Sequence, residues 1–469
     1  MSEEARGSRI ILPGGVKPGT LLGPDGRPIS SSRDDERLAD PAAAAEPALP
    51  THPRLRAIEI QEVREGDRVM VMLIDPSGVA PQSIAISPEA VPILSLFDGS
   101  VALDDLIAMV DRETGDPRAG DQVRRLVEVL DAQLLLESPR YFAARDQVHA
   151  EYRALPERPA ALAGLSYPAD PDELRGFLSQ HEAIAAEHAA AGPAAAATAA
   201  LPTAAVAPRA LAAPHIDLRR GGPLFARAWG TFADVPADAL PAVVFVFGVG
   251  HMMLEEPFAI TAKPFATPLG TVDVATDSVA RIVAACGDSI LTEEIAHRDE
   301  HSIEFQALAL RRRFGAKPVQ IVPLLCSGFH NLVRFERRPA EEPRIESVLA
   351  AVSAEAARLE REGVKVAFVA GVDLSHVGAR FGDAIDLDAG ALAGIEKHDR
   401  AAIAAALTGD AEAWFAAVAA HSDSTRICGF AAMYAMLRTA RPGAGRLLGY
   451  EQSVEPGGSV VTYASLVWP

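Results

Sequence analysis

The sequence predicts an α/β protein, a central mostly parallel sheet preceded by a small α+β winged-helix-like domain. Three observations carry that reading. Residues 243–247 (VVFVF), 319–325 (VQIVPLL) and 364–370 (VKVAFVA) are short, continuous apolar runs, the pattern of strands buried on both faces of a parallel sheet. Helical stretches at 277–285, 302–313, 344–361 and 390–407 separate or follow them. Ahead of them, residues 52–145 hold two strand patterns and then three short helical ones.

In chain order, residues 1–50 mix Gly, Pro, Ser and charge without an apolar period, so a disordered or loosely attached segment is expected. Residues 57–63 and 68–74 read as strands around the turn Glu65-Gly66-Asp67. Ser87-Pro88 marks a helix start and Asp98-Gly99 its stop. A second helix is expected near 103–110, and a third with Val123, Leu126, Val127 and Leu130 on one face. From 156 to 469 the pattern is α/β, interrupted by an Ala/Pro-rich loop at 185–213 and closed by a hairpin, 446–454 with 459–467, around Pro456-Gly457-Gly458.

Composition narrows the function. The chain has 469 residues, 49% of them hydrophobic, and a net charge of −19. Such a surface repels phosphate backbones, so nucleic acid is not an expected partner. Within the small domain, Arg124 and Arg125 are the sole basic residues of the would-be recognition helix, which argues against DNA reading. Cys286, Cys326 and Cys428 form no C-x-x-C and suggest a reducing, cytoplasmic setting. The first ten residues, MSEEARGSRI, lack an apolar signal core. The most apolar long run, 191–213, is broken by Pro193, Pro202 and Pro208, so no membrane span is expected.

Polar residues collect where strands should end. VVFVF runs into Gly248-Val249-Gly250-His251, VKVAFVA into Gly371-Val372-Asp373-Leu374-Ser375-His376, and a shorter stretch, ALAAP, into His215-Ile216-Asp217. Ligands of open α/β sheets bind outside the carboxyl ends of the strands, so three such endings point to one site. Cys428 precedes an apolar helical run, 430–437, whose dipole would favour its thiolate. Finally, His297-Arg298-Asp299-Glu300-His301 spells H-x-x-E-H, the pattern of inverted zinc peptidases, in which two histidines share a helical face and the glutamate is the base.

Taken together, these segments resemble the Memo family, whose bacterial members are also called AmmeMemoRadiSam system protein B. The resemblance rests on Pro268-Leu269-Gly270-Thr271-Val272-Asp273-Val274, Asp299-Glu300-His301-Ser302-Ile303-Glu304, Ala213-Pro214-His215, His251, Asp373-Leu374-Ser375-His376 and Cys428-Gly429, with Ala163-Gly164-Leu165-Ser166-Tyr167 at the domain start. It covers residues 160–469. It implies a fold similar to the catalytic subunit of class III extradiol dioxygenases, and a metal site of two histidines and a cysteine, His215, His251 and Cys428. Asp373, His376, Glu300 and His301 would line the same cleft, which makes the H-x-x-E-H match a coincidence. Radical-SAM and AMMECR1-type partners are implied by the family name alone. The sequence departs from the family in Val249 and in Ile216-Asp217-Leu218-Arg219-Arg220, where the two arginines suggest an anionic ligand. Residues 52–145 loosely resemble peptide-binding winged-helix domains of the PqqD type.

Two imidazoles and a thiolate suit iron, copper or zinc. A redox enzyme acting on a small molecule or peptide in the cleft is the expected function, with a metal-binding or interaction scaffold as the alternative. Asp217 or Asp373 would supply a carboxylate, and His376 and His301 would serve as acid and base near neutral pH.

Overall fold

The computed structural model describes residues 48–65, 68–191, 206–252 and 255–469. The expected segment 1–50 lies almost wholly outside them. Contacts divide the chain into two compact units, 1–154 and 155–469.

In the first unit, β1 (Glu59–Glu65), β2 (Arg68–Ile74) and β3 (Ile84–Ile86) form an antiparallel sheet in that order. Helices Val91–Leu94, Leu103–Thr114, Pro117–Ala132 and Pro139–Ala154 follow. Leu73, Phe97, Leu106, Val127 and Leu130 are buried in a core of their own. The third strand and the last helix were not read from the sequence. Ser87 makes no side-chain cap; Pro88 opens a 3₁₀ turn that continues into a four-residue helix.

The second unit is built on a nine-stranded mixed sheet. Its strands are β4 (Ala210–Ala213), β5 (Val243–Val249), β6 (Phe258–Ile260), β7 (Asp273–Val274), β8 (Gln320–Cys326), β9 (Val366–Gly371), β10 (His376–Gly378), β11 (Arg446–Glu455) and β12 (Ser459–Trp468). The order is β10-β12-β4-β9-β5-β8-β6, with β11 on β12 and β7 on β8. Parallel pairing is confined to β4-β9-β5-β8 and to β7 on β8. The joins of β6, β10, β11 and β12 are antiparallel. The sheet is therefore mixed rather than mostly parallel, because the C-terminal hairpin inserts β12 beside β4 instead of lying outside the sheet.

The central strands are apolar on both faces because helices pack on them. Helix Phe430–Ala440, buried at every residue except Arg438, lies against β4, β5, β8 and β9. Helix His301–Phe314 lies against β5 and β9. The Ala/Pro-rich stretch is narrower than expected: helix Pro171–Ala191 takes its start, since alanine is the best helix former, and β4 takes its end. No described helix is long and apolar enough to cross a membrane.

Candidate metal centre

β4, β9 and β5 are parallel neighbours, so their carboxyl ends share one edge of the sheet. His215 follows β4 by two residues, Asp373 follows β9 by two, and His251 follows β5 by two. Helix His301–Phe314 begins at this edge too. Two glycines let it come close: a side chain at Gly371 would strike the Ser302 carbonyl, and one at Gly248 would strike Ser302 and Ile303. The Ser302 hydroxyl joins the helix to β5, accepting from the Val249 amide at 2.9 Å.

This packing brings three imidazoles together. Ring centroids are 5.0 Å apart for His215 and His251, 5.1 Å for His215 and His301, and 4.6 Å for His251 and His301, the last pair stacked. His215 is 1% exposed. Its Nδ1 lies 2.8 Å from the Gly371 carbonyl. A carbonyl only accepts, so Nδ1 carries the proton and Nε2 keeps the lone pair. That Nε2 faces Cys428 Sγ at 3.4 Å and Asp373 Oδ2 at 3.7 Å. His251 Nδ1 sits 3.0 Å from both oxygens of Glu300, which makes Nε2 its ligating nitrogen. Ligating atoms of His215, His251 and Cys428 all lie within 4.8 Å of one another, as do those of His251, Glu300 and His301.

Glu300 is the N-cap of helix His301–Phe314, accepting from the Ser302 amide at 2.8 Å and the His251 amide at 3.1 Å. Burial pushes its pKa up, but His251, His301 and the Ser302 hydrogen bond outweigh burial and hold it well below the usual carboxylate range. Asp373, 2% exposed, accepts the His215 amide at 3.0 Å, and burial raises its pKa. Burial and the neighbouring His251 push His215 and His301 each down to about 3. His376, whose Nδ1 bonds the Leu374 carbonyl at 3.0 Å, is lowered by burial as well. Burial thus moves both His301 and His376 toward the neutral imidazole.

Cys428 also departs from expectation. It stands before Gly429, the N-cap of helix Phe430–Ala440, yet burial and the Asp373 charge raise its pKa well above the ordinary thiol value. Desolvation outweighs the helix dipole here. A cation at the site would reverse this, since a coordinating thiol gives up its proton.

Asp217 is not brought into the group. Its carboxylate caps helix Leu218–Gly230, accepting from the Arg219 amide at 2.8 Å. Arg219 pairs with Asp217, and Arg220 with Glu455, so these arginines already have carboxylate partners. Nor do His297 and His301 share a helix. His297 ends a 3₁₀ turn, is 1% exposed, and bonds the Ala259 carbonyl through Nε2 at 3.1 Å, which removes the peptidase geometry. Cys326 is buried at the end of β8, and Cys286 is partly buried against the main core.

Sequence reasoning missed Arg158. Fully buried, it pairs with buried Glu304 and donates to the carbonyls of His297 and Glu300, each at 2.8 Å. The Tyr167 hydroxyl donates to the same Glu304 carboxylate. The domain-start motif thus clamps the segment that carries Glu300 and His301. A buried glutamate inside the motif was the available signal, since such a charge demands a partner.

Fold and site together define an α/β protein whose strand ends assemble a His/His/Cys group able to hold a metal ion. The chain belongs to the Memo-like protein family, whose pattern matches residues 158–467. A MEMO1 family protein of Aquifex aeolicus is 25% identical over 420 residues, 89% of this chain and 99% of its own. That match is longer than the family region and so takes in sequence outside it. A MEMO1 family protein of Thermus thermophilus is 29% identical over 312 residues, 66% of this chain and 82% of its own. One of Methanopyrus kandleri is 30% identical over 182 residues, 38% of this chain and 58% of its own.

Proposed function

We propose that this chain holds one transition-metal ion between His215, His251 and Cys428 and carries out metal-dependent redox chemistry on a small molecule or peptide in the cleft. The observation behind it is the 3.4 Å separation of His215 Nε2 and Cys428 Sγ, with Nδ1 of each histidine already bonded to an acceptor. Bond lengths of about 2.0–2.1 Å to nitrogen and 2.3 Å to sulfur place two tetrahedral ligand atoms about 3.5 Å apart. Iron is the preferred ion, with copper and zinc next, because imidazole and thiolate suit all three. Bound there, a redox-active ion supplies electron transfer and open coordination positions. The residues around it have separate tasks. Glu300 orients His251, Asp373 fixes the His215 loop, and His301 and His376 serve as acid and base toward a ligand in the cleft. The extradiol-dioxygenase-like fold that the family resemblance implies does not by itself carry an activity.

A scaffold that binds metal without turnover, working with radical-SAM and AMMECR1-type proteins, is the second reading. The nearly complete burial of His215 and Asp373 favours it. In either case the protein acts in the cytoplasm, and the first unit, a three-stranded sheet followed by helices, serves as a winged-helix-like module that recruits a peptide partner.

The test is anaerobic purification with elemental analysis. About one metal per chain is expected in the parent, and none in a folded His215→Ala/Cys428→Ser variant. Unchanged stoichiometry in that variant would overturn the assignment.

A further inference from the structure

The loop between β9 and β10 touches both sides of the metal centre. Asp373 in it accepts the His215 amide at 3.0 Å. The Asp373 carbonyl accepts the Gly429 amide at 3.1 Å, and the Leu374 carbonyl accepts the Cys428 amide at 3.3 Å. One loop of a few residues therefore sets the position of a histidine ligand and of the cysteine ligand together.

The loop is held from behind by β12. The Leu374 amide donates to the Thr462 carbonyl at 2.8 Å, and the Thr462 amide to the Ser375 carbonyl at 2.9 Å. The Ser375 amide donates to Thr462 Oγ1 at 2.8 Å. Beneath these lies Asp399, on helix Ala389–Ala406, with 0% exposure. Its Oδ1 accepts from the Ser375 hydroxyl at 2.6 Å. Its Oδ2 accepts from the Thr462 hydroxyl at 2.6 Å and from Tyr450 OH at 2.8 Å. No described cation makes an ion pair with this carboxylate; three hydroxyls satisfy it instead. Burying a carboxylate on hydroxyl donors alone costs stability, and a fully satisfied network of this kind rigidifies what it joins.

We infer that Asp399 is a positioning residue of the metal centre, acting through Ser375 and Thr462 on the loop that places His215 and Cys428. This rests on the metal site proposed above. Thr462 Oγ1 accepts the Ser375 amide, so its own proton must go to Asp399. An asparagine that keeps its oxygen toward Thr462 and Tyr450 turns its NH₂ toward the Ser375 hydroxyl, which donates to this position in the parent and would have to reverse. Asp399→Asn thus preserves shape and disturbs the bonding pattern at Ser375.

The probe is Co(II), added to the purified full-length apo-protein. Its visible bands report coordination geometry, and its sulfur-to-cobalt charge-transfer band reports the cysteine ligand. Removing an outer partner of a metal ligand typically lowers affinity 10–100-fold, so a loss of about tenfold is expected for Asp399→Asn, with a weakened or shifted sulfur band. Thr462→Val should act alike, Thr462→Ser should restore the parent spectrum, and the Asp399→Asn/Thr462→Val pair should lose less than the sum of the single losses. Asp388→Ala, at the exposed start of the same helix, should leave affinity unchanged. If Asp399→Asn does not fold, Ser375→Ala, which deletes one hydroxyl, decides by the same readouts. A parent-like sulfur band and affinity in Thr462→Val and in Asp399→Asn, or in Ser375→Ala if it stands in, overturns the inference. Absence of cobalt binding in the parent instead overturns the metal site, and this inference with it.

Discussion

Replacing Glu300 by Gln probes what the carboxylate does for the centre. Glu300 holds His251 Nδ1 at 3.0 Å from both oxygens and also accepts the amides of His251 and Ser302. Glutamine keeps the shape and one acceptor oxygen but presents an NH₂ where the other oxygen stood. The full negative charge that makes the imidazole a better donor is lost. Partners of this kind are typically worth 10–100-fold in metal affinity, or about 1.4–2.7 kcal/mol. The helix start should survive, because the remaining oxygen can still cap the Ser302 amide; a lost cap would cost about 1 kcal/mol. The assay is competition of Zn(II) between the protein and a chromophoric chelator, with near-ultraviolet circular dichroism as the fold control. A folded Glu300→Gln variant with parent affinity would refute the idea that Glu300 orients a ligand. A loss beyond about a thousandfold, well outside that range, would make Glu300 a ligand itself.

Metal binding should release at least one proton at neutral pH, because Cys428 starts as a thiol with a raised pKa, while His215, at about 3, adds none. Affinity should then rise about tenfold per pH unit through neutrality, and calorimetry in buffers of different ionisation enthalpy counts the proton; a pH-independent affinity would contradict the thiolate. Glu304→Gln leaves buried Arg158 without its counter-charge and should destabilise the unit by about 3–5 kcal/mol, seen as a lower main transition in scanning calorimetry of the full chain. Gly371→Ala should push the Ser302 end of the helix away from β9, costing about 1–3 kcal/mol and weakening Zn(II) binding in the same competition assay.

What could be read from the sequence follows from how local each signal is. β5, β8 and β9 lie within the sheet and are apolar in unbroken runs, so they stood out. β6, β7 and β10 have three, two and three residues, too short for any periodicity. Helix Leu218–Gly230 contains Gly221, Gly222 and Pro223, which local propensity forbids. It forms because of packing: a side chain at Gly222 would occupy the space of the His181 ring. At the site, His215 and His251 are marked by apolar runs ending in Gly or Pro. The partners that decide their chemistry are not marked: Gly371 lies 156 residues from His215, and Arg158 lies 146 from Glu304. The capping role of Asp217 could have been read, since an Asp just before a helix is first of all a cap. Cys428 shows the limit of a one-dimensional argument: its place before a helix is visible in sequence, while the desolvating and acidic surroundings that raise its pKa are a property of the fold.

X-ray absorption at the zinc edge of the Zn(II)-loaded protein reads the ligand set itself. Two histidine nitrogens at about 2.0–2.1 Å and one sulfur at about 2.3 Å are expected, the sulfur vanishing in Cys428→Ser. A first shell of nitrogen and oxygen alone in the parent protein would contradict a centre built on His215, His251 and Cys428.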